Sequence, residues 1–251
     1  CGRSPVQLMN GVLPDSGKDF LMTNKQLTGA VVFDLDGTLL NTLPPLAAAC
    51  NDTLAQMGLP LVDEEEVLGY IGMGRQVLVE RMMAAQGFTD DETIERALSL
   101  YSQASSRLST YKAAPFPGIR DMLDQLRAMG LPLGIVTNKD QRITPQVVHA
   151  FFPEDYFVRM QGASRLLPLK PHPRSTLKLL KDMHAEPSRS FFVGDSDVDI
   201  LTGQATGMYT IGVTWGFRSR QELEALKPHL LADRPEEITA YIREVTGRLS
   251  G

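Results

Sequence analysis

The sequence predicts an α/β fold, a parallel sheet with crossover helices broken by an all-helical insertion. Three observations carry this expectation. Short apolar runs such as Gly29-Ala30-Val31-Val32-Phe33 stop abruptly at a polar residue, as strands buried on both faces do. After Pro115 and Pro117 such runs alternate with helical stripes, the pattern of a parallel sheet. Between Pro44 and Ala114 the stripes continue without a convincing strand.

Cys1 to about Thr28 mixes Gly, Pro, Asn and Lys without sustained period and reads as a loose extension. Within it, Met22-Thr23-Asn24-Lys25 would make a natural start just before the first strand. A strand follows over Gly29–Phe33. A helix begins near Pro44-Pro45, carries the stripe Leu46, Cys50, Leu54 and Met57, and ends at Gly58 with Pro60 beyond. Two more helices are expected, one from about Gly74 with Leu78, Met82 and Ala85, and one capped by Asp90 or Asp91 with Ile94, Leu98, Tyr101 and Leu108. Beyond Pro117, Ile119, Leu123, Leu126 and Met129 mark a helix closed by Gly130. Leu131–Val136 is then a strand stopping at Thr137-Asn138. Thr144-Pro145 opens a helix, Tyr156–Met160 is a strand, Leu177–Met183 is helical, and Ser190–Val193 is a strand stopping at Gly194-Asp195. Tyr209–Val213 is the next strand. Ser219 and Glu222 form a capping box, and Pro235 opens a last helix with Ile238, Tyr241, Ile242 and Val245.

The organisation is therefore an extension over 1–28, an α/β unit from 29–43 and 115–251, and a helical insertion over 44–114. At 251 residues and 43% hydrophobic, the chain can bury a sizeable core. Its 25 Lys plus Arg against 30 Asp plus Glu give a net charge of -5, without the basic excess needed to track nucleic-acid phosphates or an anionic membrane. No apolar run approaches the roughly 18 to 20 residues of a membrane span. Cys1 and Cys50 offer at most one bridge and neither lies in a CxxC, so a reducing cytoplasm is the expected compartment.

In open parallel sheets, ligands bind beyond the carboxyl ends of the strands. The residues there form a consistent set: Asp34 and Asp36, Thr137 and Asn138, Asp195 and Asp199, with Lys170 on a loop between Pro168 and Pro171. Taken singly, each could cap a helix or close a turn. Converging carboxylates repel one another and raise each other's pKa unless a cation neutralises them. All-oxygen ligands point to Mg²⁺, which favours a few carboxylates, waters and a substrate phosphate oxygen.

Phe33-Asp34-Leu35-Asp36-Gly37-Thr38-Leu39-Leu40 resembles the first motif of the haloacid dehalogenase superfamily, in its aspartate-nucleophile phosphatase branch. Val136-Thr137-Asn138 resembles the second motif, Lys170-Pro171-His172-Pro173 the third, and Val193-Gly194-Asp195-Ser196-Asp197-Val198-Asp199 the fourth. The resemblance runs from about Gly29 to the end. It implies a Rossmann-like core with an inserted helical cap, and a Mg²⁺-dependent phosphatase of the phosphoglycolate phosphatase-like group acting on a small phosphorylated metabolite.

By that resemblance Asp34 is the nucleophile, forming an aspartyl-phosphate. Asp36 is the general acid and base, a position that dehalogenase and phosphonatase branches leave without an acid. Thr137 offers a hydroxyl and Asn138 a backbone N–H to the phosphoryl oxygens, while Lys170 offsets negative charge. The metal ligands are then Asp34, the backbone oxygen of Asp36, and Asp195. Asp199 is expected to hold a metal-bound water or to orient Lys170, with helix capping as the alternative. Gly37 permits a close approach, and Thr38 is expected to fix the loop. The turn Gly69-Tyr70-Ile71-Gly72-Met73-Gly74-Arg75 resembles the cap loop that faces the site in phosphoglycolate phosphatase relatives, making Arg75 a candidate clamp for a substrate anion, an exposed arginine being the alternative.

His149, His172, His184 and His229 lack metal-ligand spacing, and Trp215-Gly216-Phe217 is expected to serve packing, with lining of the site as the alternative. Asn41-Thr42 stands where relatives commonly carry Asp-Ser, a departure at the cap hinge. Two other readings share the motifs. A phosphosugar mutase of the same fold would tend to carry Glu before the fourth-motif Asp and no later Asp, whereas Gly194 and Asp199 stand here. A non-catalytic phosphate-binding module would have lost nucleophile, acid or metal ligand, and none is lost.

Overall fold

In a computed structural model of the chain, residues 29–249 are described, so the expected extension with Met22 lies outside the described residues. The chain enters through β1 (Val31–Phe33), turns into β2 (Leu40–Asn41), and passes into four helices, α1 (Leu43–Met57), α2 (Glu64–Leu68), α3 (Gly74–Ala85) and α4 (Asp91–Leu108). It returns through β3 (Ala114–Pro115), which pairs antiparallel with β2, so the way out and the way back are one two-stranded hinge. Then follow α5 (Ile119–Ala128), β4 (Leu133–Asp140), α6 (Thr144–Phe151), β5 (Arg159–Ala163), α7 (Arg174–Asp182), β6 (Phe191–Gly194), α8 (Asp197–Thr206), β7 (Tyr209–Val213), α9 (Arg220–Ala225), β8 (Leu230–Ala232) and α10 (Pro235–Leu249).

Six strands form one parallel sheet in the order β5-β4-β1-β6-β7-β8. The chain steps outward from β1 to β4 and β5, then crosses back to β6 on the other side. Ligand crevices form at such a reversal. Alternation along β1 builds both faces of the sheet. Val31 and Phe33 join Ile119, Leu123, Val147 and Ile238 on one side, while Ala30 and Val32 join Leu179, Met183, Phe192 and Met208 on the other. Burying each large side chain of this kind is worth about 1.5–3 kcal/mol, which holds the strand ends in fixed register.

The four helices of the insertion close around a cluster of their own, with Cys50, Leu54, Val67, Leu78, Met82, Ala97 and Tyr101 at its centre. Local signals explain their ends. Gly58 closes α1 at φ 72°, Asp63 and Glu66 form a capping box on α2, and the Asp90 side chain accepts from Thr93 N–H at the start of α4. The capping box expected at Ser219 and Glu222 starts α9.

The structure shifts some boundaries. β4 continues through Thr137-Asn138 to Asp140, and β5 lies three residues later than the apolar run suggested. The short β2, β3, α2 and β8 carry too few residues to show a period, and in α8 Asp197 and Asp199 interrupt the apolar stripe of the first turn. Among the described residues, no helix is long and apolar enough to cross a membrane.

Candidate active site

The carboxyl ends of β1, β4 and β6 meet beneath the helical insertion around a cavity of about 670 Å³, lined among others by Asp34, Asp36, Thr137, Asn138, Lys170 and Asp195. Asp34 follows β1 directly, and its N–H donates to Val193 O at 2.9 Å, tying it to β6. Lys170 Nζ lies 2.7 Å from Asp34 Oδ1 and donates to Asp199 Oδ1 at 2.6 Å. The lysine is buried, so it is held between two buried carboxylates. Burial alone would lower its pKa, but the charges of Asp199 and Asp34 outweigh this and hold it above the usual lysine range.

Asp195, only 1% exposed, is gripped from two sides. Thr38 Oγ1 donates to its Oδ1 at 2.9 Å, and Phe217 N–H donates to its Oδ2 at 2.8 Å. Thr38 therefore serves the carboxylate rather than its own loop, and Trp215 Nε1 in turn donates to Thr38 O at 3.0 Å. Of the two readings of Trp215–Phe217, packing and lining of the site, the contacts favour the second: Phe217 lines the cavity and holds Asp195. Two glycines make the fit possible. A Cβ at Gly37 would lie 2.4 Å from Asp195 Oδ2, and one at Gly216 2.2 Å from Asp195 Cβ.

One carboxylate oxygen from each of Asp34, Asp195 and Asp199 lies within 4.8 Å of the others. Burial first, then the charges of neighbouring carboxylates, pushes Asp34 up to about 7 and Asp195 up to about 8. Were all four aspartates ionised, Asp36 included, they would outnumber the two lysines by two negative charges, and a cation is what would allow that. That donor set fits a hard divalent cation such as Mg²⁺. Asp199 is otherwise engaged: its Oδ1 accepts from Lys170, and its Oδ2 from Ser196 N–H and Oγ at 3.1 and 2.6 Å. It thus contacts Lys170 Nζ and, from the third position of α8, completes the capping box with Ser196.

Asp36 points elsewhere. Both of its carboxylate oxygens accept from Lys139 Nζ, at 3.0 and 3.1 Å, and Lys139 is only 7% exposed at its side chain. Lys139 escaped sequence reasoning, although it directly follows Thr137-Asn138. A strand assigned to end at Val136 hid the fact that Thr137 and Lys139 share one face of β4. Thr137 is buried and its Oγ1 accepts from Lys139 N–H at 3.2 Å.

The Asn138 side chain spans two loops, accepting from Lys170 N–H at 2.9 Å and donating to Lys170 O and to Gly72 O, both at 3.1 Å. Arg75 lines the cavity, 41% exposed at its side chain, with Nη1 on Asp140 Oδ2 at 3.0 Å. Arg142 shares that carboxylate, at 2.7 Å. His229 pairs with Thr210, and no histidine joins the carboxylate cluster among the described residues.

Residues 31–213 match the model of the family described as haloacid dehalogenase-like hydrolase. The chain is 34% identical over 206 residues to a phosphoglycolate phosphatase of Pseudomonas putida KT2440, covering 81% of this chain and 75% of that one. It is 32% identical over 224 residues to a phosphoglycolate phosphatase of Psychrobacter arcticus, covering 87% and 96%. Among solved structures, a "predicted phosphoglycolate phosphatase" from Haemophilus somnus 129PT superposes with a TM-score of 0.80 at 28% identity, over 85% of this chain and 97% of that one.

Proposed function

The chain belongs to the haloacid dehalogenase-like hydrolases and is a phosphoric monoester hydrolase of that family; from that premise we propose Mg²⁺-dependent hydrolysis of a small, phosphoglycolate-like ester through an aspartyl-phosphate on Asp34. The observation that carries this reading is the arrangement of the four aspartates. Asp34, Asp195 and Asp199 each bring one oxygen within 4.8 Å of the others, with Lys170 on Asp34 and Asp199, while the fourth, Asp36, stands apart with its own lysine. This is the division of labour that the two steps require.

In the first step the Asp34 carboxylate attacks phosphorus, forming an O–P bond as the ester O–P bond breaks, and Asp36 gives the departing oxygen its proton. In the second, Asp36 takes a proton from water, whose oxygen attacks phosphorus and releases orthophosphate and the free Asp34 carboxylate. Lys170, the Thr137 hydroxyl and the Asn138 N–H donate to the phosphoryl oxygens as charge moves onto them. Asp34, the backbone oxygen of Asp36, and Asp195 would hold the cation, with Asp199 keeping Lys170 in place. A bound Mg²⁺ supplies charge neutralisation, letting an anionic nucleophile approach an anionic phosphate. The helical insertion over 44–114 serves as a cap excluding water, and Arg75 faces the substrate's remaining anionic group.

Gly194 weighs against the mutase reading. A Cβ there would lie 2.2 Å from Asp199 Cβ, so the present packing leaves no room for a glutamate side chain at position 194.

The test is phosphate release from 2-phosphoglycolate, sugar phosphates, nucleotides and pyrophosphate, with and without Mg²⁺, together with acid-quench trapping of labelled phosphate on Asp34. Mg²⁺-dependent release favouring phosphoglycolate, with trapped label, is the expected result. No release from any ester would overturn it.

A further inference from the structure

We propose that Arg218 is a positioning residue that docks the helical insertion over the cavity through main-chain carbonyls and ties that docking to the Asp195 carboxylate. Arg218 lies on the loop after β7, next to the residue whose N–H holds Asp195. Its Nη1 donates to Leu68 O at 3.3 Å and its Nη2 to Ile71 O at 3.0 Å. Leu68 is the last residue of α2, so its carbonyl has no partner within the helix and sits at the negative end of the helix dipole. A planar guanidinium can satisfy two such acceptors from one position. From behind, Asp197 Oδ1 lies 3.8 Å from Arg218 Nε.

The glycine-rich turn between α2 and α3 is shaped to this contact. Gly72 has φ 112°, and a Cβ there would lie 3.1 Å from Arg218 Nη2. Gly74 has φ 83°, and a Cβ would lie 3.0 Å from Leu169 Cδ1. Beside Arg218, the Asn138 side chain reaches Gly72 O while its other bonds fix it to the Lys170 backbone. The turn thus meets the core through its backbone, at residues adjoining the catalytic groups, and Phe217 packs against the helices' apolar cluster at the same place. One segment, 215–218, holds a carboxylate on one side and the insertion on the other. Anything that fixes Asp195 therefore also fixes the docking arginine.

The test is hydrogen exchange of the full chain, wild type against Arg218→Ala and Arg218→Lys, with and without Mg²⁺ alone. In Arg218→Ala, amides of residues 64–75 exchange at least about tenfold faster while β1, β4 and β6 keep their protection, and Mg²⁺ no longer slows residues 64–75 as it does in wild type. Turnover falls with it, kcat/KM by about tenfold or more, and Arg218→Lys recovers part of both losses. Exchange of residues 64–75 within about twofold of wild type would overturn the proposal, as would an equal rise across the sheet. Only the kinetic arm rests on the phosphatase reading. A wild type that cleaves no ester would sink that reading and leave the exchange result to decide this one.

Discussion

Lys139 donates to both carboxylate oxygens of Asp36, at 3.0 and 3.1 Å, and is itself nearly buried. The pair is separate from the Lys170 cluster and holds Asp36 in one orientation over the cavity. Fixing a proton-transferring group in place matters most where the leaving oxygen is a poor one. Lys139→Met is accordingly expected to lower kcat for an alkyl phosphate by about tenfold or more, and for p-nitrophenyl phosphate by less than about threefold. Equal losses on both would make Lys139 a general phosphate-binding cation.

Asp34→Asn should reduce turnover by about 10³-fold or more, because an amide cannot form the phosphoenzyme. The fold should not suffer. The carboxylate is buried and disfavoured in its charged form, and Lys170 keeps Asp199 as a partner. The metal-free Tm is expected within about 2 °C of wild type or above it. Appreciable residual turnover would remove Asp34 from the nucleophile's role.

Metal-free stability should fall as pH rises. Unfolded aspartates titrate near about 3.9, whereas Asp34 and Asp195 are raised to about 7 and about 8 in the fold. Across that window the folded state binds more protons than the unfolded one, so stability is lost on going from pH 4 to pH 8. A divalent cation offsets the carboxylate charge, so adding Mg²⁺ should raise Tm by about 5 °C more at pH 8 than at pH 5. Thermal scans with and without Mg²⁺ at the two pH values check this, and an equal rise at both would contradict it.

Gly216→Ala places a Cβ where Asp195 stands, at 2.2 Å from its Cβ. The carboxylate has to move, and the Phe217 N–H beside it moves too. The half-saturating Mg²⁺ concentration for activity is expected to rise by about tenfold or more. An unchanged metal titration would mean that Asp195 does not ligate the cation.

Arg75→Ala should raise KM for a carboxylate-bearing ester more than for a small aryl phosphate. The arginine is free to turn from Asp140 toward a ligand, since Arg142 pairs with the same carboxylate at 2.7 Å. Matching changes in both KM values would confine Arg75 to its ion pair with Asp140.

By itself the sequence determined whatever is local or periodic. The apolar run before Asp34 marks a strand by its lack of polar residues, Gly58 stops a helix through its left-handed backbone, and Ser219 with Glu222 starts one. Asp34, Asp36, Thr137, Asn138, Asp195 and Asp199 follow closely on apolar runs, and Lys170 stands in a proline-flanked loop, so all seven could be named beforehand as candidates. Tertiary structure decided the pairings. That Lys139 would turn to Asp36, that Thr38 would serve Asp195 from 157 positions away, and that Arg218 would meet Leu68 and Ile71 depends on crossovers bringing distant loops to one sheet edge. Hydrogen bonds of about 3 Å are fixed by packing, and packing leaves no period in a sequence.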